Sequence, residues 1–161
     1  MRWVSIEVQG EEKLKVALTQ MADAIEDLTP YWGDVQQEFY KIEKEQFATE
    51  GKSGASGWWK QLSMPYADIK ARNYGDLPIL ELTGALGASL TSETATGAIT
   101  KKEKDSLTLG SSVSYAHWHQ TGTPKGQMPA RPPISLTENQ TAQLLRKLTK
   151  QLKEVANRNG F

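Results

Sequence analysis

The sequence predicts an α+β protein folded as a single domain, and three observations predict it. Apolar residues recur at three- and four-residue intervals in separate stretches, the spacing of amphipathic helices. Near the N-terminus and between Thr91 and Gly110 the pattern changes to alternation and to threonine-rich segments, which suit strands. Glycine, serine and proline collect between these stretches, where the chain must turn. A chain of 161 residues is long enough for one core burying roughly two-thirds of its unfolded surface.

The elements follow in order. Trp3–Val8 places Val4, Ile6 and Val8 on one face of a strand, and Gln9-Gly10 ends it. From Glu11, residues Leu14, Ala17, Leu18, Met21, Ile25 and Leu28 form the apolar stripe of a helix that Pro30 closes, a stripe expected to lie on a sheet. A second helix carries Trp32, Val35, Phe39, Ile42 and Phe47 on one side, with Glu38, Lys41 and Glu45 on or near the other, and Gly51 stops it. The stretch from about 49 to 64 has neither period and predicts a flexible, exposed loop anchored by Trp58 or Trp59. A short helix follows at Tyr66–Asn73, then a turn through Gly75-Asp76-Leu77-Pro78. Thr83 is placed to cap a helical turn over Gly84–Leu90, because its hydroxyl accepts from a free amide at the helix start. Thr91–Gly110 reads as a polar antiparallel meander with turns near Thr96-Gly97 and Lys104-Asp105. Gly122–Pro133 is a proline-rich loop, and Leu136, Leu144, Leu145, Leu148, Leu152 and Val155 mark a long C-terminal helix.

Composition narrows the function. Hydrophobic residues make up 38% and five tryptophans supply much of the apolar area, which leaves room for stabilising contacts from neighbouring subunits. Nineteen basic residues balance nineteen acidic ones, so the whole chain lacks the cationic excess of a tight nucleic-acid binder. The charge is split: ten acids face four lysines between Glu11 and Glu50, whereas the last helix carries Arg146, Lys147, Lys150, Lys153 and Arg158 against Glu154. The absence of cysteine removes disulfides and thiolate metal sites, and no stretch approaches a membrane span or a visible secretion signal. A cytoplasmic folding compartment is expected.

Chemistry is poorly specified. His117-Trp118-His119 would put two imidazoles on one face of a strand, but zinc needs more than two protein ligands and a helix would separate the pair. Gly51-Lys52-Ser53-Gly54 resembles part of a phosphate loop, yet Gln46 stands where the first glycine belongs and the segment follows a helix. No Gly-x-Ser-x-Gly elbow fixes a nucleophile. The expectation is no catalytic residue, no metal and no cofactor.

Four ordered stretches resemble the phage virion-morphogenesis and tail-completion proteins of head-tail necks. They are Gly57-Trp58-Trp59-Lys60-Gln61-Leu62-Ser63 with Lys70; Ile79-Leu80-Glu81-Leu82-Thr83-Gly84-Ala85-Leu86 with Ser89-Leu90; Leu109-Gly110, Tyr115-Ala116 and His119-Gln120-Thr121-Gly122; and Met128-Pro129-Ala130-Arg131-Pro132. The sequence departs at Pro133, where the family usually carries phenylalanine. The resemblance implies an α+β fold in which an antiparallel β-sheet is packed by two N-terminal helices and a C-terminal helix. It also implies a ring of copies, commonly a hexamer, in the virion neck, between a head-completion or connector protein and a tail terminator or tail tube protein. Genomic DNA would pass through the lumen without sequence-specific binding, and no membrane is involved. A tail terminator or minor tail protein of a phage or phage-tail-like particle is the alternative; a metal-dependent hydrolase using His117 and His119 is the rival of another class.

In that role the structural or interface candidates are Trp58, Thr83, Gly84, Tyr115, His119, Gln120, Gly122, Pro129, Arg131 and Pro132. Arg131 follows Ala130 and precedes Pro132, which holds it extended, so its guanidinium can fork onto a carboxylate or carbonyls, within a subunit or across an interface. His119 and Gln120 offer partners to tie this loop to the Tyr115 turn, and Gly122 permits positive φ. Arg146, Lys147, Lys150 and Lys153 are candidates for an electrostatic interface with an acidic N-terminal half, or for DNA contact.

Overall fold

Proline and glycine punctuate the helices where the sequence places them. The computed structural model describes residues 11–158, so the strand expected over Trp3–Val8 lies outside the described residues. Helix α1 runs Glu11–Glu26. Asp27 then accepts from the Thr29 amide at 2.9 Å, and a 3-10 turn over Thr29–Tyr31 with Pro30 in its first turn redirects the chain. Helix α2 spans Trp32–Ala48. It ends as Gly51 takes φ +89° and returns its amide to the Gln46 carbonyl at 2.9 Å.

Helix α3, Met64–Tyr74, opens with Pro65 in its first turn and closes at Gly75. Helix α4 is Ala85–Thr91, with left-handed Gly84 at the cap position. Thr83 sits one residue earlier than a cap; its hydroxyl accepts from Ala85 N at a long 3.4 Å. Strands β1 (Ala98–Lys102) and β2 (Leu107–Ser111) pair antiparallel, Thr100 opposite Leu109. The meander expected from Thr91 is therefore a single hairpin among the described residues. Its connection spans Lys104-Asp105 as expected, but the threonines before Gly97 form turns, with the Ser92 and Thr94 hydroxyls 3.2 Å apart. Helix α5 is Ala116–Thr121 and α6 is Glu138–Arg158. Thr137 and Gln140 form a reciprocal capping box at the start of α6, with amide-to-side-chain bonds of 2.8 and 3.2 Å.

The described residues make an α+β fold, about 53% helical, with a two-stranded antiparallel sheet. Helix α2 is central, with α6 on one part of its surface and α4 on another, and the hairpin packs on α4. Trp32 Nε1 donates to the Glu103 carbonyl at 2.6 Å and the Leu28 amide to that of Lys104 at 2.8 Å, fixing the hairpin tip beside the start of α2. The core is Phe47, Trp59, Ile79, Leu86 and Leu90, with Leu62, Val113 and Ile134 against it. Among the described residues helix α1 packs on α6 rather than on the hairpin, and it leaves Leu18 and Ile25 52% and 59% exposed.

Candidate functional site

The loop between α5 and α6 folds back on both its ends. Thr123 N donates to the Met128 carbonyl at 3.0 Å, Met128 N to Thr123 Oγ1 at 2.9 Å, and Arg131 N to the His119 carbonyl at 2.8 Å. Gly122 takes φ +77°, and a Cβ there would lie 3.0 Å from Ala130 N and 3.1 Å from Met128 O. Both its conformation and its surroundings demand glycine.

From this loop Arg131 reaches the opposite segment. Only 6% exposed, it donates through Nε to the Lys60 carbonyl at 2.5 Å and through Nη2 to that of Gln61 at 3.0 Å. The fork thus closes on two carbonyls of its own chain, and a charged donor makes such bonds strong. The next carbonyl, of Pro132, accepts from Trp59 Nε1 at 2.9 Å and from Gln46 Nε2 at 3.3 Å. Gln120 bonds Ile134 in both directions, at 2.9 and 3.3 Å. Ser135 receives the Ala55 amide on its carbonyl and the Ser56 amide on its hydroxyl, each at 2.8 Å. Residues 131–135 are a strap stitched to the 53–61 segment on one side and to α5 on another.

Beside the strap lies a second clamp. Lys70, 5% exposed, donates from Nζ to the carbonyls of Leu77 at 2.9 Å and Pro78 at 2.5 Å. Burial lowers its pKa, while Glu50, Glu81 and Asp76 act in the opposite direction. Glu50 accepts the Ile79 amide at 2.8 Å, and both Glu50 (φ 48°) and Leu80 (φ 63°) adopt left-handed backbone that L-residues rarely take. An open cleft of about 390 Å³ adjoins them, lined by Ala48, Thr49, Glu50, Lys52, Trp58 and Pro78.

The structure places the sequence candidates unevenly. Gln120, Gly122, Arg131 and Pro132 belong to the strap, with half-buried Pro129 next to it. Tyr115 meets the His119 ring edge-on at 5.8 Å. The anchoring tryptophan is Trp59, 2% exposed and edge-on to Phe47 at 5.4 Å, whereas Trp58 is 63% exposed beneath the Lys52 ammonium. Thr83 and Gly84 lie at the surface by α4. On α6, Lys147 pairs with Glu38 of the same chain at 3.2 Å and Lys150 with Glu154 at 3.8 Å, while Arg146 and Lys153 are exposed. Gln46, Glu50 and Ser135 were missed by sequence reasoning; their roles depend on contacts between distant segments that no local pattern reports.

His117 and His119 do not converge. His117 stacks edge-on with Trp118 at 5.2 Å, and His119 turns to Tyr115. The buried Nδ1 of His119 has no hydrogen-bond partner among the described residues; burial, then the charge of Arg131, lowers its pKa and favours neutral imidazole. Among the described residues no group of three His, Cys, Asp or Glu is placed to hold a metal ion.

Residues 10–153 match the phage virion morphogenesis family. The chain belongs to that family. No curated protein and no solved structure gives a match. Membership of the phage virion morphogenesis family makes the chain a phage structural or assembly protein associated with the virion. Among the described residues of this family member, no helix is long and apolar enough to cross a membrane.

Proposed function

We propose that this virion morphogenesis protein is a non-enzymatic subunit of the phage neck. Identical copies form a ring, a hexamer, that joins the DNA-filled head or its connector to the tail terminator or tail tube, and the genome passes through the lumen. The observation that carries this reading is the use made of the polar groups in the motif-bearing loops. Arg131, Lys70, Trp59 and Gln120 spend their donors on backbone carbonyls, which fixes a shape rather than presenting reactive groups. Helices α1 and α3 meanwhile keep large apolar side chains in solvent, as a subunit awaiting neighbours does.

The charge split has a place in this reading. The Lys147–Glu38 ion pair satisfies part of the opposition between the acidic N-terminal half and the basic last helix inside one protomer, and the neutral amide of Gln151 bonds Asp34 between the same two helices. Arg146 and Lys153, seven residues apart on α6, are exposed, available to a neighbouring subunit or to passing phosphates without sequence preference.

Disrupting the gene in its phage tests the assignment. Full heads and complete tails that fail to join support a neck subunit, as does complementation by the plasmid-borne chain. Tails of irregular length would move the protein to the tail terminator position. Joined, infectious particles without the protein would overturn the reading.

A further inference from the structure

We propose that the exposed apolar stripe of α1 receives the α3 arm of a second copy, and that this head-to-tail contact is the repeating interface of the ring. The inference rests on the ring reading above. Leu18 and Ile25 are seven residues apart and so share one face of α1, with half-buried Met21 between them. On α3, Tyr66 and Ile69 share a face at the i, i+3 spacing and are 48% and 54% exposed; Met64 and Tyr74 extend the apolar surface at its two ends. Each chain therefore carries two separate apolar faces that stay exposed among the described residues.

Charge favours one pairing over the other. From Leu18 to Leu28, α1 and the turn after it carry Asp23, Glu26 and Asp27 and no cation, the helix's lysines, Lys13 and Lys15, lying before this stretch. The arm from Lys60 to Tyr74 carries exposed Lys60 and Arg72 against Asp68, its other cation, Lys70, being buried on carbonyls. Setting the Leu18–Leu28 stretch against the same stretch of a second copy would oppose like charges over an apolar contact; setting it against α3 opposes unlike ones. A contact between two different patches is heterologous, the type that repeats from copy to copy and forms a ring when its rotation closes.

The chain has no cysteine, so engineered thiols report cleanly. Full-length Ile25→Cys and Ile69→Cys variants, both at exposed positions, are purified separately, checked by circular dichroism, then oxidised alone and as a mixture. The expected result is a disulfide-linked dimer in the mixture and its loss in either variant alone. The double variant should give a ladder of bands ending at the ring number seen in sedimentation. Cross-linking of Ile25→Cys with itself would make the α1 contact isologous and overturn the proposal. So would an intramolecular bond in an Ile6→Cys, Ile25→Cys chain, which would assign the stripe to the protein's own N-terminal segment. Oligomers that form without the 25–69 cross-link overturn this interface and leave the ring standing; a chain that sediments as a monomer at every concentration overturns both.

Discussion

The indole N–H of Trp59 donates to the Pro132 carbonyl at 2.9 Å, joining segments 73 residues apart. Arg131, one residue before that carbonyl, reaches back to Lys60 and Gln61, the two residues after that tryptophan. Two motifs distant in sequence thus hold each other by exchanging side-chain donors for backbone acceptors. Such a lock ties a loop to the core through Trp59 and holds it in one shape, and a protein working through surface shape needs that.

Replacing Arg131 with lysine tests the lock. Lysine keeps the charge but offers a compact ammonium in place of the planar fork, so it cannot reproduce both bonds to Lys60 and Gln61. The expected loss is about 2–4 kcal/mol in urea unfolding, from two charged-donor bonds and a poorly satisfied buried cation. A loss below about 0.5 kcal/mol would show that the strap is held without the guanidinium.

The adjacent tryptophans should behave oppositely. Trp59→Ala removes a buried ring from Phe47 and an indole donor from Pro132, and is expected to cost about 3–5 kcal/mol. Trp58→Ala touches an exposed ring and should change stability by no more than about 0.5 kcal/mol. Thermal unfolding of both variants side by side separates the roles.

Helices α1 to α4 and α6 were legible because their apolar spacing, Pro30 and Gly51 are local signals that tertiary packing did not override, whereas the six residues of α5 are too few to show a helical period. The Gly122–Pro133 loop was legible for the same reason: proline and glycine restrict the backbone wherever the chain goes. Which tryptophan anchors the 49–64 segment was not, since neighbouring rings in an aperiodic stretch differ only through the turn at Glu50-Gly51. The meander was over-read because threonine suits a turn, where its hydroxyl bonds locally, as well as a strand. Nor could the α1 stripe reveal what covers it, because amphipathicity specifies a face and not its partner.

Gly51 and Gly57 offer a matched pair. Both have positive φ, +89° and +69°, so alanine is strained at either. At Gly51 a Cβ would also fall 2.5 Å from Trp59 Cδ1 and 2.8 Å from the Gly57 carbonyl oxygen, while at Gly57 it meets nothing within 4 Å. Gly57→Ala should cost about 1 kcal/mol and Gly51→Ala about 3 kcal/mol or more. Near-ultraviolet circular dichroism should show the Trp59 environment altered only in the second.

Glu43 sets the pH dependence. It is fully buried on α2, neither carboxylate oxygen has a hydrogen-bond partner among the described residues, and burial pushes its pKa up to about 8 from 4.5. Below the unfolded value both states hold the proton and the group contributes no pH dependence. As pH rises from about 4.5 towards 8 the unfolded chain loses a proton that the folded chain keeps, so this group makes stability fall. The slope is at most about 1.4 kcal/mol per pH unit, and it levels off above the folded pKa. Glu43→Gln has no proton to lose and should flatten this part of the profile, gaining stability relative to the natural chain as pH rises from 5 to 8. Urea unfolding of both proteins across that range measures the difference; parallel profiles would mean that Glu43 titrates alike in the folded and unfolded chains.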